Sequence, residues 1–276
     1  MVDGQSNKMK VGFVIQARMK STRLPGKILM NIPLKEGKPL LKWITDTLKK
    51  SKFDFKIIIA TSQNKENDLL EVFSLEEQIT CFRGDEGNVL SRFISISKKE
   101  HFDVVVRLTG DNPIVDLSIL ENAITSHLEH KNDYTKTVGL PIGMNFEIVN
   151  PKTLLSLENK TLCDADKEHV TLYIRNNEYK KEEIQYGSEA TAKVRLTVDY
   201  PSDFLVTAAV LSYFGEDVSF EKVNLLNDSC PWLFDANQGN FQKLQFKTET
   251  EEIESAIQFL ADNDFNFASQ KLKEIE

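Results

Sequence analysis

Four cations, Arg18, Lys20, Arg23 and Lys27, crowd into one short stretch beside Ser21, Thr22 and Gly26. A glycine lets backbone N–H groups come close to an oxyanion, and the cations neutralise it. The formal net charge of the chain is −8, so this cluster works against the field of the whole molecule. The residues alone admit two readings, a phosphate-binding loop or a solvated basic loop. A Walker A loop is excluded, because Ile28 follows Gly26-Lys27 where Ser or Thr is needed, and the upstream glycine is missing.

Such a loop must be held by something rigid. The apolar run Val11-Gly12-Phe13-Val14-Ile15 precedes it, and Ile57-Ile58-Ile59-Ala60 and Val104-Val105-Val106-Arg107-Leu108 repeat the type. Short continuous apolar runs are the mark of parallel strands buried on both faces. Between them, helical spacing predicts helices over 39–50, 68–73, 89–100 and 118–130. Strand and helix alternate through the first half, which predicts a mostly parallel sheet with helices on both faces. Ligands in such folds bind beyond the carboxyl ends of the strands. The polar loops at 16–27, 83–88 and 109–116 should therefore converge on one edge.

The second half is less regular. It predicts strands at 134–138, 145–149 and 193–198, and helices at 151–157, 167–176, 204–214 and 219–226. A charged amphipathic helix is expected over 249–262. Residues 1–8 read as a flexible lead-in, 9–215 as the main domain, and 216–276 as a helical appendage.

The 276 residues are 41% hydrophobic and 28% charged, which suits a globular protein with a real core. The net negative charge argues against nucleic acid and anionic membrane as partners. Cys81, Cys163 and Cys230 lie far apart, so neither a disulfide framework nor a cysteine zinc site is expected. The polar N-terminus lacks a signal-peptide core, and no stretch approaches the roughly 20 apolar residues of a membrane span. A cytoplasmic protein is expected.

Several ordered blocks resemble one known family. They are residues 15–29, Phe82-Arg83-Gly84 with Val89-Leu90, Val106 to Pro113, Lys167-Glu168-His169-Val170-Thr171, and Leu196 to Asp203. The pattern resembles the cytidylyltransferases that activate acidic sugars, the 3-deoxy-manno-octulosonate and acylneuraminate types, and in particular the spore-coat polysaccharide biosynthesis branch. The resemblance implies a Rossmann-like three-layer α/β/α nucleotidyltransferase, similar to the GT-A fold. It implies transfer of CMP from CTP to a sugar or sugar acid, with release of pyrophosphate, for cell-surface polysaccharide. A homodimer would also fit that family.

The same resemblance assigns residues. Gln16, Ala17, Arg18, Ser21, Arg23, Lys27 and Thr109 would hold the nucleoside triphosphate, with Arg83, Asp85, Asn88 and Arg92 bordering the nucleoside. Asp111 and Asp199 would bind Mg²⁺, which takes carboxylate and phosphate oxygens together and keeps several waters. Arg18, Lys27 and Asp111 would carry catalysis. Asn145, Glu147, Glu168 and His169 would lie near the sugar. Taken singly, Asp111 is also a turn residue before Asn112-Pro113, and Asp199 a helix N-cap near Pro201. Asp203 should support the following helix.

Two departures stand out: Ser91 replaces a frequent acidic residue, and Asn145 replaces a frequent Asp. Two other functions compete. A GT-A-like glycosyltransferase would hold its metal with Asp-x-Asp, but Pro113 stands two residues after Asp111. A catalytically silent nucleotide-binding module is opposed by the intact Arg18, Lys27, Asp111 and Asp199.

Overall fold

The computed structural model describes residues 9–240 and 248–274. The expected lead-in at 1–8 lies outside the described residues. Contacts divide the chain into two units, one ending at Gly239 and one starting at Asn240.

The first unit opens with β1 (Lys10–Gln16), the short pair β2 (Asn31–Ile32) and β3 (Lys38–Pro39), and α1 (Leu40–Leu48). Then come β4 (Asp54–Ser62), α2 (Asp68–Glu76), β5 (Thr80–Gly84), α3 (Val89–Glu100), β6 (Val104–Thr109) and α4 (Leu117–His130). Next are β7 (Tyr134–Val138), β8 (Glu147–Val149), α5 (Pro151–Ser156), α6 (Asp164–Glu168), α7 (Leu172–Asn176) and β9 (Lys181–Gln185). The unit ends with α8 (Pro201–Phe214), α9 (Phe220–Ser229) and α10 (Pro231–Asp235).

One seven-stranded sheet runs in the order β5-β4-β1-β6-β8-β7-β9. All neighbours are parallel except at β8, which is reversed against both β6 and β7. Alternate side chains point to opposite faces, so each apolar strand feeds two cores. Phe13, Ile15, Ile57, Ile59, Val104 and Val106 join α1, α4 and α8 on one face. Val14, Ile58, Ala60 and Val105 join α3, α5 and α7 on the other. This is the expected three-layer α/β/α architecture.

Because β1, β4, β5 and β6 are parallel, their carboxyl ends share one edge, and the loops at 16–27, 83–88 and 109–116 follow them. The reversed β8 starts at that edge, pairing Glu147 with Arg107.

Two expected elements differ. The strand at 193–198 is a 3-10 turn, Thr191–Lys193, followed by an extended segment with a single bridge, Ile142 to Arg195. Its backbone bonds go to loops: Ile142 N–H donates to Val194 O (2.8 Å), Leu196 N–H to Ile142 O (2.8 Å) and Val198 N–H to Asp111 O (2.9 Å). The helix at 167–176 is two helices, α6 and α7, because His169 leaves helical geometry at φ −104°, ψ 57°. The edge strand β9 has the sequence Lys-Glu-Glu-Ile-Gln, whose charge hides its pairing with β7.

Beyond the expected boundary at 215, Val223 of α9 and Phe234 of α10 are buried in the core of the first unit. The second unit contains α11 (Glu249–Asp262) and α12 (Asn266–Lys273), joined through Ser269 Oγ, which donates to Ile257 O at 3.0 Å. Among the described residues no helix is long and apolar enough to cross a membrane.

Candidate active site

The basic loop is shaped by its own backbone. Ala17 N–H donates to Ala60 O at 3.3 Å and Gly26 N–H to Met19 O at 3.1 Å. Ser21 Oγ accepts from Leu24 N–H at 3.3 Å. Gly26 takes φ +72°, a left-handed turn that glycine adopts without a Cβ penalty, and leads directly into the 3-10 turn Lys27–Leu29. That turn carries Lys27 inward, with its side chain only 8% exposed.

Lys27 Nζ lies 2.8 Å from Asp111 Oδ2 and 2.8 Å from Asp199 Oδ1. A residue from the first loop thus joins two carboxylates from 84 and 172 positions away. Burial alone would raise the Asp111 carboxyl, but the Lys27 ammonium and the Thr109 hydroxyl hold it below the ordinary aspartate range. Asp199 also accepts from Arg195 Nη2 at 3.1 Å and forms an ion pair with Arg23 Nη2 at 3.2 Å. Arg23 lies over the Tyr200 ring, 4.5 Å from its centroid, and donates to the Tyr200 hydroxyl at 3.0 Å.

Behind Asp199 stands a buried support. Asp203 is fully buried and receives Arg195 at 2.9 and 3.1 Å. Its Oδ2 also accepts the N–H groups of Asp199 and Tyr200, each at 2.9 Å. Asn237 Nδ2 donates to Asp203 Oδ1 at 2.9 Å. Asp203 therefore caps α8 and fixes the backbone that presents Asp199.

A second network lies along β6 and β8. Glu147 accepts from Tyr134 OH at 2.5 Å, from Thr171 Oγ1 at 2.6 Å, and from Arg107 Nη1. Arg107 Nη2 donates to Gln16 Oε1 at 3.2 Å. Burial alone would raise the Glu147 carboxyl, yet Arg107, Thr171 and Tyr134 hold it at about 2. It is an ionised anchor with its oxygens engaged. A small cavity of about 50 Å³ lies beside it, lined by Arg107, Thr109, Asn112, Gly143, Asn145 and Glu147 among others. Arg107 Nε and Asn112 Oδ1 are buried there without a hydrogen-bond partner among the described residues.

Among the described residues no group of three or more His, Cys, Asp or Glu could enclose a metal ion. The donor set nevertheless fits Mg²⁺ in one form. Asp111 and Asp199 direct carboxylate oxygens at a common cation, and Mg²⁺ accepts such a pair when phosphate and water supply the rest.

The profile of the cytidylyltransferase family matches residues 13–227, which include every residue of both networks except Asn237. The chain belongs to the cytidylyltransferase family. It is therefore a nucleotidyltransferase. It is 38% identical over 226 residues to the spore coat polysaccharide biosynthesis protein SpsF of Bacillus subtilis, covering 78% of this chain and 93% of that protein. It is 32% identical over 166 residues to a 3-deoxy-manno-octulosonate cytidylyltransferase of Francisella tularensis subsp. novicida, covering 59% of this chain and 61% of that one. A solved cytidylyltransferase from Leptospira borgpetersenii superposes with TM-score 0.75 at 28% identity, covering 87% of this chain and 100% of that chain.

Within this cytidylyltransferase, the expected residues fall into groups. Arg23, Lys27, Asp111 and Asp199 meet directly, and Thr109 touches Asp111. Gln16 ends β1 opposite Thr109, with Ala17 following it. Arg18 and Lys20 are exposed on the same loop.

Others are engaged with the surrounding backbone and side chains. Arg83 donates to Ser62 O (3.3 Å) and Asn64 O (2.9 Å) and pairs with Asp68 (2.7 Å) and Glu71 (3.0 Å). Its guanidinium ties β5 to the turn before α2. Arg92 is buried and donates to Asp85 O (2.7 Å) and Glu86 O (2.9 Å), while Asp85 Oδ1 accepts Asn88 N–H (2.8 Å). This brace sets the loop at 85–88. Asn145 Nδ2 donates to Leu140 O at 3.0 Å, holding the turn before β8. Glu168 ends α6 and His169 caps it, while Thr171 is the residue of that block that reaches Glu147.

Arg107, Tyr134, Thr171 and Arg195 were missing from the expected site. The available signals were a charge inside each of two apolar runs, at Arg107 and Arg195. Thr171 lies in the block Lys167-Glu168-His169-Val170-Thr171, whereas nothing in the local sequence marks Tyr134.

Proposed function

We propose that this cytidylyltransferase transfers CMP from CTP to a sugar or sugar acid and releases pyrophosphate, with Mg²⁺ held between Asp111 and Asp199. The observation that carries the reading is the meeting of Lys27 with both carboxylates at 2.8 Å on the ligand-binding edge of the sheet. The names of the SpsF and 3-deoxy-manno-octulosonate relatives support a sugar acceptor in polysaccharide biosynthesis.

The residues divide the work by charge. Arg18, Lys20, Arg23 and Lys27 bind and align the triphosphate, and Lys27 neutralises charge that develops on departing pyrophosphate. The acceptor oxygen attacks the α-phosphorus in line, with no covalent enzyme intermediate. When bound, Mg²⁺ supplies charge neutralisation at the phosphate oxygens. The cavity beside Arg107 and Asn112 lies next to the Asp111 loop, and we assign the acceptor to that side of the site.

The test is pyrophosphate release from CTP and Mg²⁺ across a panel of sugars, sugar acids and sugar phosphates. Acceptor-dependent release supports the reading. Consumption of a nucleotide sugar instead would assign a glycosyl transfer.

A further inference from the structure

Lys27 Nζ already occupies one oxygen of each of the two carboxylates proposed to hold Mg²⁺. Asp111 Oδ2 and Asp199 Oδ1 each lie 2.8 Å from that ammonium. A Mg²⁺ ion shared by Asp111 and Asp199 would take up the gap between them, where the ammonium now lies. The two cations compete for one place.

Lys27 does not yield easily. Its side chain is 8% exposed, so an ammonium leaving the carboxylates without a new anion would be charged, desolvated and unpaired. The surrounding charge is already balanced. Lys27, Arg23 and Arg195 face Asp111, Asp199 and Asp203. A divalent ion arriving alone would add uncompensated positive charge to this partly buried cluster. Arg195 is anchored by two contacts to the buried Asp203, which leaves Lys27 and the more exposed Arg23 as the exchangeable cations. A triphosphate changes the balance, since it brings the negative charge that both could follow.

We propose that Lys27 is a built-in competitor of the metal: it shuts the Asp111–Asp199 pair to free divalent cations until a triphosphate draws it away. Metal and nucleotide then enter as one unit. The inference rests on the proposed function, since it takes those two carboxylates as the metal ligands.

Mn²⁺ is the probe, followed on the nucleotide-free full chain by the loss of its free electron paramagnetic resonance signal. Wild-type protein should bind Mn²⁺ weakly. Lys27→Met should bind it about 10-fold more tightly or better, within the ordinary range of coupling between sites. The gain should vanish in Lys27→Met/Asp199→Ala. Arg23→Gln provides a second variant on a more exposed side chain, with a smaller gain in the same direction.

Equal Mn²⁺ affinity in wild type, Lys27→Met and Arg23→Gln would overturn the proposal, as would a gain that survives removal of Asp199. A parallel measurement separates the two readings. If CTP with Mg²⁺ raises the wild-type unfolding temperature but the Mn²⁺ affinities are equal, the competitor role fails and the proposed function stands. If CTP with Mg²⁺ gives no stabilisation, both fall.

Discussion

Asp199 receives three cations, and they have different jobs. Arg195 is fixed from behind by Asp203, whereas Lys27 and Arg23 come from the loop that faces the ligand edge. Loss of the two carboxylates proposed to hold the metal and loss of their support should therefore look different. Asp111→Ala or Asp199→Ala should remove most CTP-dependent turnover, with a smaller loss of stability than Asp203→Ala, because Lys27 keeps the other carboxylate. Near-normal turnover in both would contradict the assignment. Asp203→Ala should instead destabilise the fold by about 3–5 kcal/mol in urea denaturation, because it strands a buried guanidinium. The residues that meet at Lys27 were legible in the sequence because they sit in tight motifs at strand ends. The roles of Tyr134 and Thr171 were not, because tertiary packing brings both to Glu147.

At the scale of elements, α4 meets β7 through a buried polar contact. His127 is 2% exposed, and its Nδ1 lies 2.9 Å from Thr135 Oγ1. Burial pushes the imidazole down to about 4, although Glu182 and Asp133 work in the opposite direction. The unfolded chain, with an ordinary histidine near about 6.5, takes up the proton first. Stability from this group is therefore complete above about pH 6.5 and is lost as pH falls toward about 4. Glu147, held at about 2, loses its contribution only below the ordinary carboxylate range. Urea midpoints from pH 7 to pH 4 should fall for wild type and fall less for His127→Gln. Identical pH dependence would show that His127 is not the sensitive group. The long apolar strands and their helices were readable from periodicity, since burial on both faces leaves a continuous apolar run. The extended segment at 194–198 was read as a strand for the same reason. Its hydrogen bonds, however, go to Ile142 and Asp111 in loops, which periodicity does not reveal.

For the whole molecule, both polar networks lie in the first unit, before Gly239. Val223 and Phe234 help bury its core, and Asn237 binds Asp203. A chain ending at Gly239 keeps both networks and should therefore unfold cooperatively. A chain ending at Gly215 should lose stability, because it removes those contacts. Calorimetry on both truncations checks this, and equal stability of the two would contradict the packing described.

Thermal unfolding with Mg²⁺ and CTP, UTP, GTP or ATP in turn, on wild type and on Asp111→Ala/Asp199→Ala, addresses the proposed site most directly. Wild type should be stabilised most by CTP, by about 2.7 kcal/mol at 100 times its Kd, and the double variant should lose most of that gain. Equal stabilisation of both proteins by CTP, or none of wild type, would contradict the account.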